Sequence, residues 1–182
     1  IEPDSIVFPL RKLFNGYKNV FFRMAMVNEI QSESNTIITD IGTVEYDHLV
    51  IATGSTTNFF GLQDVQQHSV GMKTIQEALD IRSLILQNLE KAVVTCDEAE
   101  RNALTNFAIV GGGPAGVETA GAMAEFKKYI LPKDYPELDA SMMSIYLIEA
   151  EDELLNAMSD KSSENALKFL NKLGVDIRLN TS

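Results

Sequence analysis

The chain has 182 residues, 45 % of them hydrophobic and 23 % charged, which is ordinary globular usage and argues against a disordered or fibrous protein. Fifteen basic residues against 26 acidic ones leave a net charge of −11, which repels phosphate backbones and anionic lipid and argues against a nucleic-acid partner. The only cysteine, Cys96, leaves no disulfide framework, no C-x-x-C redox pair and no thiolate metal cage, and suits a reducing, cytoplasmic setting.

No apolar run approaches the ~18 residues that span a bilayer, and the first residues, IEPDSIVFPLRKLF, lack the apolar core and cleavage site of a signal peptide, so a soluble chain is expected. A start at Ile1 and an end at Asn180-Thr181-Ser182, just after a strand pattern, suggest a piece of something longer.

Taken in chain order, Val7, Leu10, Leu13 and Phe14 keep helical spacing before Gly16, which predicts a short helix. From residue 20 to 52 the pattern shortens to VFFRMAMVNEI, NTIITDI and VEYDHLVIA, separated by SESN and IGT, which predicts a three-stranded antiparallel meander. The apolar run Leu49, Val50, Ile51 and Ala52 predicts a strand end buried on both faces, stopping at Thr53-Gly54. Residues 55–72 lack periodicity and read as a connector between two units.

Thr74-Ile75-Gln76-Glu77 has capping-box form and opens a helix in which Ile75, Ala78, Leu79, Ile85, Leu86, Leu89 and Ala92 share one side, ending near Val94. Next come a buried strand at 107–110, a helix at 114–128, a strand at 144–149, a helix at 160–173 capped by Ser159 and closed by Gly174, and a strand at 175–179. Two crossover helices joining three strands imply a parallel βαβαβ unit. Residues 129–143, with two prolines, read as an insertion.

The segment with chemical content is FAIVGGGPAGVETAGA, where Gly111, Gly113 and Gly116 form G-x-G-x-x-G between a strand and a helix. Gly111 would permit the tight turn, Gly113 would let backbone approach a pyrophosphate, and Gly116 would allow close helix–strand packing. Gly112 lies inside the same loop, and Pro114 suits the first helical position, where its missing N–H costs nothing. Amides of the first turn would face the phosphates without help from a basic side chain. The small residues Gly116, Ala120 and Ala124 would extend contact with the sheet.

Glu149 ends the second strand, where adenosine ribose hydroxyls would sit, and Ala150-Glu151-Asp152-Glu153 after it offers no cation to a 2′-phosphate. NAD(H) is therefore expected over NADP(H), although a solvated strand-end acid fits the same pattern. Glu118 lies early in the loop helix, where the helix dipole favours a carboxylate. His48 and His68 have no second ligand at metal spacing, Cys96 is a solitary thiol, and no nucleophile–base pair can be assembled.

The order YDHLVIATGS, connector, KTIQEALDIRSLI, FAIVGGGPAGVETAGAMAE, YLIEA and SENALKFLNKLGVDIRLNT resembles the pyridine-nucleotide flavoprotein oxidoreductases with two dinucleotide-binding domains. The long helix before the loop and the insertion before YLIEA resemble the type II NADH dehydrogenase branch.

That resemblance implies a Rossmann-like FAD/NAD(P)-binding fold, with residues 1–72 ending an FAD domain and 73–182 forming the first half of an NAD(H) domain. It also implies a whole protein that passes hydride from NADH to FAD and electrons to quinone, peripherally on the cytoplasmic membrane face. Ala52, Thr53 and Gly54 would lie near the flavin, Glu118 near nicotinamide and flavin, and Gly111, Gly112, Gly113, Pro114, Ala115 and Gly116 around the nucleotide, with Ala115 where the family often has Thr. The chain would then be an internal piece, inactive alone, with the remainder of its own polypeptide as a partner or exposed sheet edges that favour self-association. A non-enzymatic NAD(H)-responsive sensor and a disulfide, ferredoxin or sulfide:quinone reductase of the same architecture are the alternatives.

Overall fold

The computed structural model describes residues 7–181, in two compact units that divide between Ile75 and Gln76. The first unit begins with helix α1 (Leu10–Leu13) and holds an antiparallel meander of β1 (Val27–Gln31), β2 (Thr36–Thr39) and β3 (Gly42–Glu45), followed by α2 (Gln63–His68). Ile30 pairs with Ile37 and Ile37 with Val44, and Gly42 at φ +130° closes the β2–β3 turn with its carbonyl accepting from Thr39 Oγ1 at 2.5 Å. No described residue of this unit is buried, so turns and the backbone ladder, not a core, set its register.

The meander is shorter than its sequence suggests. Residues 20–26 and 46–52 have no strand structure, and Val50 and Ile51 are 85 % and 66 % exposed, which corrects the expectation of a strand buried on both faces. An apolar run forms such a strand only where ladder partners and covering layers exist, and no described strand pairs with these residues.

In the second unit, α3 (Ile75–Val94) starts directly after Thr74 and buries Leu89 and Ala92. A separate helix α4 (Glu98–Thr105), which periodicity does not announce, is started by Asp97, whose carboxylate accepts from Ala99 N–H at 2.9 Å and Glu100 N–H at 3.4 Å. Arg101 Nε donates to Ala92 O at 3.1 Å, satisfying a carbonyl in the last turn of α3.

The sheet of this unit is parallel, with β4 (Phe107–Val110), β5 (Ile145–Ile148) and β6 (Asp176–Arg178) in that spatial order. Phe107 pairs with Ile145 and Tyr146 with Asp176. The central strand β5 buries Ile145 and Leu147, while edge strand β4 leaves Val110 57 % exposed and is half covered rather than buried. Helix α5 (Pro114–Glu125) lays buried Ala120 and Ala124 against the sheet. Ser159 caps α7 (Asp160–Lys172) by accepting from Ser162 N–H at 3.3 Å. Gly174, at φ +83°, ends it with its N–H on Asn171 O at 3.0 Å.

The stretch expected as an insertion belongs to the core. Beyond Glu125 the helical path continues through a π-helical turn (Phe126–Ile130) into α6 (Leu131–Asp134), with Pro132 early in α6 where a missing N–H is tolerated. Leu131, Tyr135, Leu138 and Met143 are all buried, and Lys127 Nζ donates to Met143 O at 2.6 Å. The Tyr135 hydroxyl donates to Glu90 Oε1 at 3.1 Å. Burial, that bond and the Glu90 charge push the Tyr135 phenol above its ordinary range. Among the described residues, no helix is long and apolar enough to cross a membrane.

Leu131→Ala is expected to cost about 2–5 kcal/mol in urea unfolding, as for a core leucine; a cost below ~1 kcal/mol would return this stretch to the periphery. Because the fold favours the neutral phenol, the stability linked to Tyr135 holds below pH ~10 and is lost as pH rises through the higher native value. Denaturation followed between pH 8 and 11 should show a shallower alkaline decline in Tyr135→Phe than in the unmodified chain.

Candidate functional site

Three glycines connect Val110 of β4 to Pro114 of α5, and each does something different. Gly111 stands at φ +106°, a conformation other residues rarely adopt, and extends the ladder by donating to Ile148 O at 2.8 Å. Gly112 is buried; its N–H donates to Glu149 Oε2 and its carbonyl accepts from Leu155 N–H at 2.9 Å. A Cβ at Gly112 would lie 2.6 Å from Leu154 Cδ2 and 2.9 Å from Glu149 Oε2.

Gly113 differs from both. It is the N-cap of α5 with φ −71° and ψ −179°, and nothing lies within 4 Å of where its Cβ would be. Gly116 is forced by contact, since a Cβ there would overlap the Gly111 carbonyl oxygen and approach Leu147 Cδ1 to 3.5 Å. Its tightest neighbour is therefore the loop's own carbonyl, with the strand second.

These contacts narrow which loop amides could meet a ligand. Gly111 and Gly112 donate internally, Pro114 has no N–H, and Val117 is the first residue of α5 whose amide reaches back, to Gly113 O at 3.0 Å. Gly113, Ala115 and Gly116 occupy the turn where no earlier helix carbonyl exists, and the helix end adds roughly half a positive charge.

The pairing of β5 beside β4 brings Glu149 to this loop. Its backbone is fixed by N–H donation to Arg178 O at 2.8 Å and by its carbonyl accepting from Thr181 N–H at 3.0 Å. Its carboxylate accepts from Gly112 N–H and, at 2.9 Å on Oε1, from Glu151 N–H. An ionised carboxylate offers about four lone-pair sites, so roughly two remain. The cation that β6 places alongside, Arg178, sits 4.6 Å from the Tyr146 ring centre and 3.2 Å from Asp176 Oδ2.

Other sequence candidates separate from this cluster. Ala115 is exposed on the first turn of α5, with its carbonyl accepting from Thr119 Oγ1 at 2.7 Å. Glu118 is exposed and fifth in α5, whose first turn carries no acid; the dipole account of this carboxylate is corrected, because that attraction fades beyond the first turn. Ala52, Thr53 and Gly54 belong to the first unit, exposed and outside regular elements, with Gly54 at φ +76°. Leu154 and Leu155 went unnoticed in the sequence; their only signal is an apolar pair inside the acidic stretch after β5.

A model of the pyridine nucleotide-disulphide oxidoreductases matches residues 6–182. The chain belongs to this family. It is 34 % identical, over 184 residues, to the type II NADH:quinone oxidoreductase NdhA of Mycobacterium tuberculosis, covering 99 % of this chain and 39 % of that protein. It is 36 % identical over 137 residues to the mitochondrial external alternative NAD(P)H-ubiquinone oxidoreductase B3 of Arabidopsis thaliana, covering 75 % of this chain and 23 % of that protein. The solved structure of NDH2 from Plasmodium falciparum in complex with NADH gives a TM-score of 0.76 at 27 % identity, over 86 % of this chain and 33 % of that one. The expected family and its α/β fold are thus borne out, and the chain spans about 39 % of the length of the first of these relatives.

Within this family loop, Gly116→Ala is expected to cost about 1–3 kcal/mol of unfolding free energy through overpacking. Gly113→Ala should stay within about 1 kcal/mol of neutral, since its backbone already suits alanine while glycine is the better N-cap. Paired urea titrations check the contrast, and equal losses at both positions would contradict it.

Proposed function

We propose that the second unit binds the diphosphate of NADH on the amides of Gly113, Ala115 and Gly116 and holds its adenosine ribose with Glu149, as the nucleotide-binding part of a flavin-dependent NADH:quinone oxidoreductase. What carries this is the open side of Gly113: Gly111 and Gly112 are taken up by internal bonds, while Gly113 faces free space beside outward amides. The names of the relatives, two of them NADH or NAD(P)H quinone oxidoreductases and one solved with NADH, agree in chemistry.

The fit rests on donor and acceptor types. Backbone N–H groups at a helix start suit a diphosphate, and the free lone pairs of Glu149 suit a vicinal diol. A 2′-phosphate would meet Glu149, Glu151, Asp152 and Glu153, with Arg178 engaged by Asp176 and Tyr146. On this reading residues 1–72 close an FAD domain, residues 73–182 open the NAD(H) domain, and Ala52-Thr53-Gly54 is this chain's contribution near a flavin. When bound, NADH supplies the hydride and FAD accepts it; the residues here bind and orient the nucleotide. Glu118 is proposed as a group near the nicotinamide in the whole protein. A membrane-surface location and quinone as acceptor belong to that whole protein as well.

Titration of the chain with NADH and NADPH, followed by nicotinamide fluorescence, is expected to show tighter binding of NADH. Gly113→Ala should weaken both nucleotides while the fold stays intact. Glu149→Ala should erase most of the preference, a change of about tenfold for lost bonds to a charged acceptor. An unchanged NADH:NADPH ratio in Glu149→Ala removes Glu149 from the ribose site.

A further inference from the structure

The peptide at Gly112 is held from several directions by other parts of this chain. Its N–H is taken by Glu149 Oε2, its carbonyl by the Leu155 N–H at 2.9 Å, and the space beside its Cα by Leu154, which is buried in the core. Glycine is the residue with the most backbone freedom to lose, so an unrestrained Gly111-Gly112-Gly113 run would sample many conformations.

The segment that restrains it is tied to the chain after β6 at its start and closed by a turn of its own at its end. Asn180 N–H donates to Glu151 O at 2.9 Å, and Met158 N–H donates to Leu155 O at 2.7 Å. Leu155 stands at φ +56°, a conformation unfavourable for leucine, at the residue whose N–H meets the loop. Glu149 belongs to both sides of the arrangement, because its second oxygen holds Glu151 N–H at 2.9 Å, where this segment begins.

Resting on the nucleotide-binding reading above, we propose that Glu149 and the Leu154-Leu155 turn form a clamp on the Gly112 peptide that sets the amides of Gly113, Ala115 and Gly116 for a diphosphate. Leu154 is then a positioning residue for nucleotide binding. Glu149 has two roles, one toward ribose and one toward the loop. Every bond of the clamp joins atoms of this chain, so the loop would lose little freedom on binding.

Two measurements on the 182-residue chain test this. In ligand-free protein, Glu149→Gln leaves one acceptor oxygen for two backbone N–H groups, and amide hydrogen exchange at Gly112, read by NMR, should rise about tenfold or more. Exchange at Gly112 that stays unchanged overturns the clamp. In the second, Leu154→Ala should weaken NADH and NADPH by a similar factor, about tenfold, leaving their ratio as it is in the unmodified chain. Unchanged affinity in a folded Leu154→Ala protein also overturns it. If circular dichroism shows that Leu154→Ala does not fold, the Glu149→Gln exchange measurement decides alone. Should the unmodified chain bind neither nucleotide, the nucleotide reading fails, and Gly112 exchange still decides whether the clamp exists.

Discussion

The second unit depends on one close approach, that of Gly116 in the first turn of α5 to the carbonyl of Gly111 at the end of β4. No side chain fits between them, and Gly111 can present that carbonyl only because φ +106° is open to it. With the gap closed, α5 starts directly over the strand end and runs along the sheet on Ala120 and Ala124. The same geometry sets the first turn of α5, whose early amides have no preceding helix carbonyl, right at the strand end. On the proposed reading, packing and ligand chemistry share one constraint, so a substitution at Gly116 would bear on both.

On the proposed reading, a chain with net charge −11 would host a diphosphate, and local donors would have to outweigh the overall negative charge. At physiological ionic strength the screening length is about 8 Å, so acids remote from the loop weigh little there, whereas Glu149 and the acids at 151–153 are in the segment bonded to it. Glu149 is the acid closest to it, and its carboxylate is turned onto two backbone N–H groups rather than toward open space. Amides at a helix start are fixed donors that need no reorganisation, and a few of them suffice without a basic residue.

Local signals in the sequence translated directly into structure. Pro114 at the start of α5, Ser159 capping α7 and Gly174 ending it were legible because each meets a need of the nearby backbone. The run Leu49–Ala52 departs from its sequence pattern because burial of an apolar strand depends on neighbours that its own composition does not specify. Helix α4 is hard to read from the sequence because it is only eight residues long and mostly polar, although Asp97 followed by Glu98 and Glu100 is a start signal. Residues 129–143 read as an insertion because two prolines interrupt the 3.6-residue period, yet Leu131 and Met143 lie in the core. The middle glycine of GGG was legible only as loop, since the atoms that exclude a side chain there come from Glu149 and Leu154, far along the chain.

The identity of residue 149 is then fixed by two demands that only a carboxylate meets together. Glutamine has one acceptor oxygen, whereas two backbone N–H groups, of Gly112 and Glu151, approach separate oxygens here. With both oxygens held, the carboxylate keeps lone pairs for hydroxyl donors and has little freedom to turn away from an incoming anion. Discrimination against a 2′-phosphate would follow from that rigidity as much as from charge, because an exposed acid could rotate into water at small cost. On the proposed reading, the group that reads the ribose is held in place by the same loop that holds the diphosphate, so coenzyme preference and loop order are two consequences of one pair of hydrogen bonds.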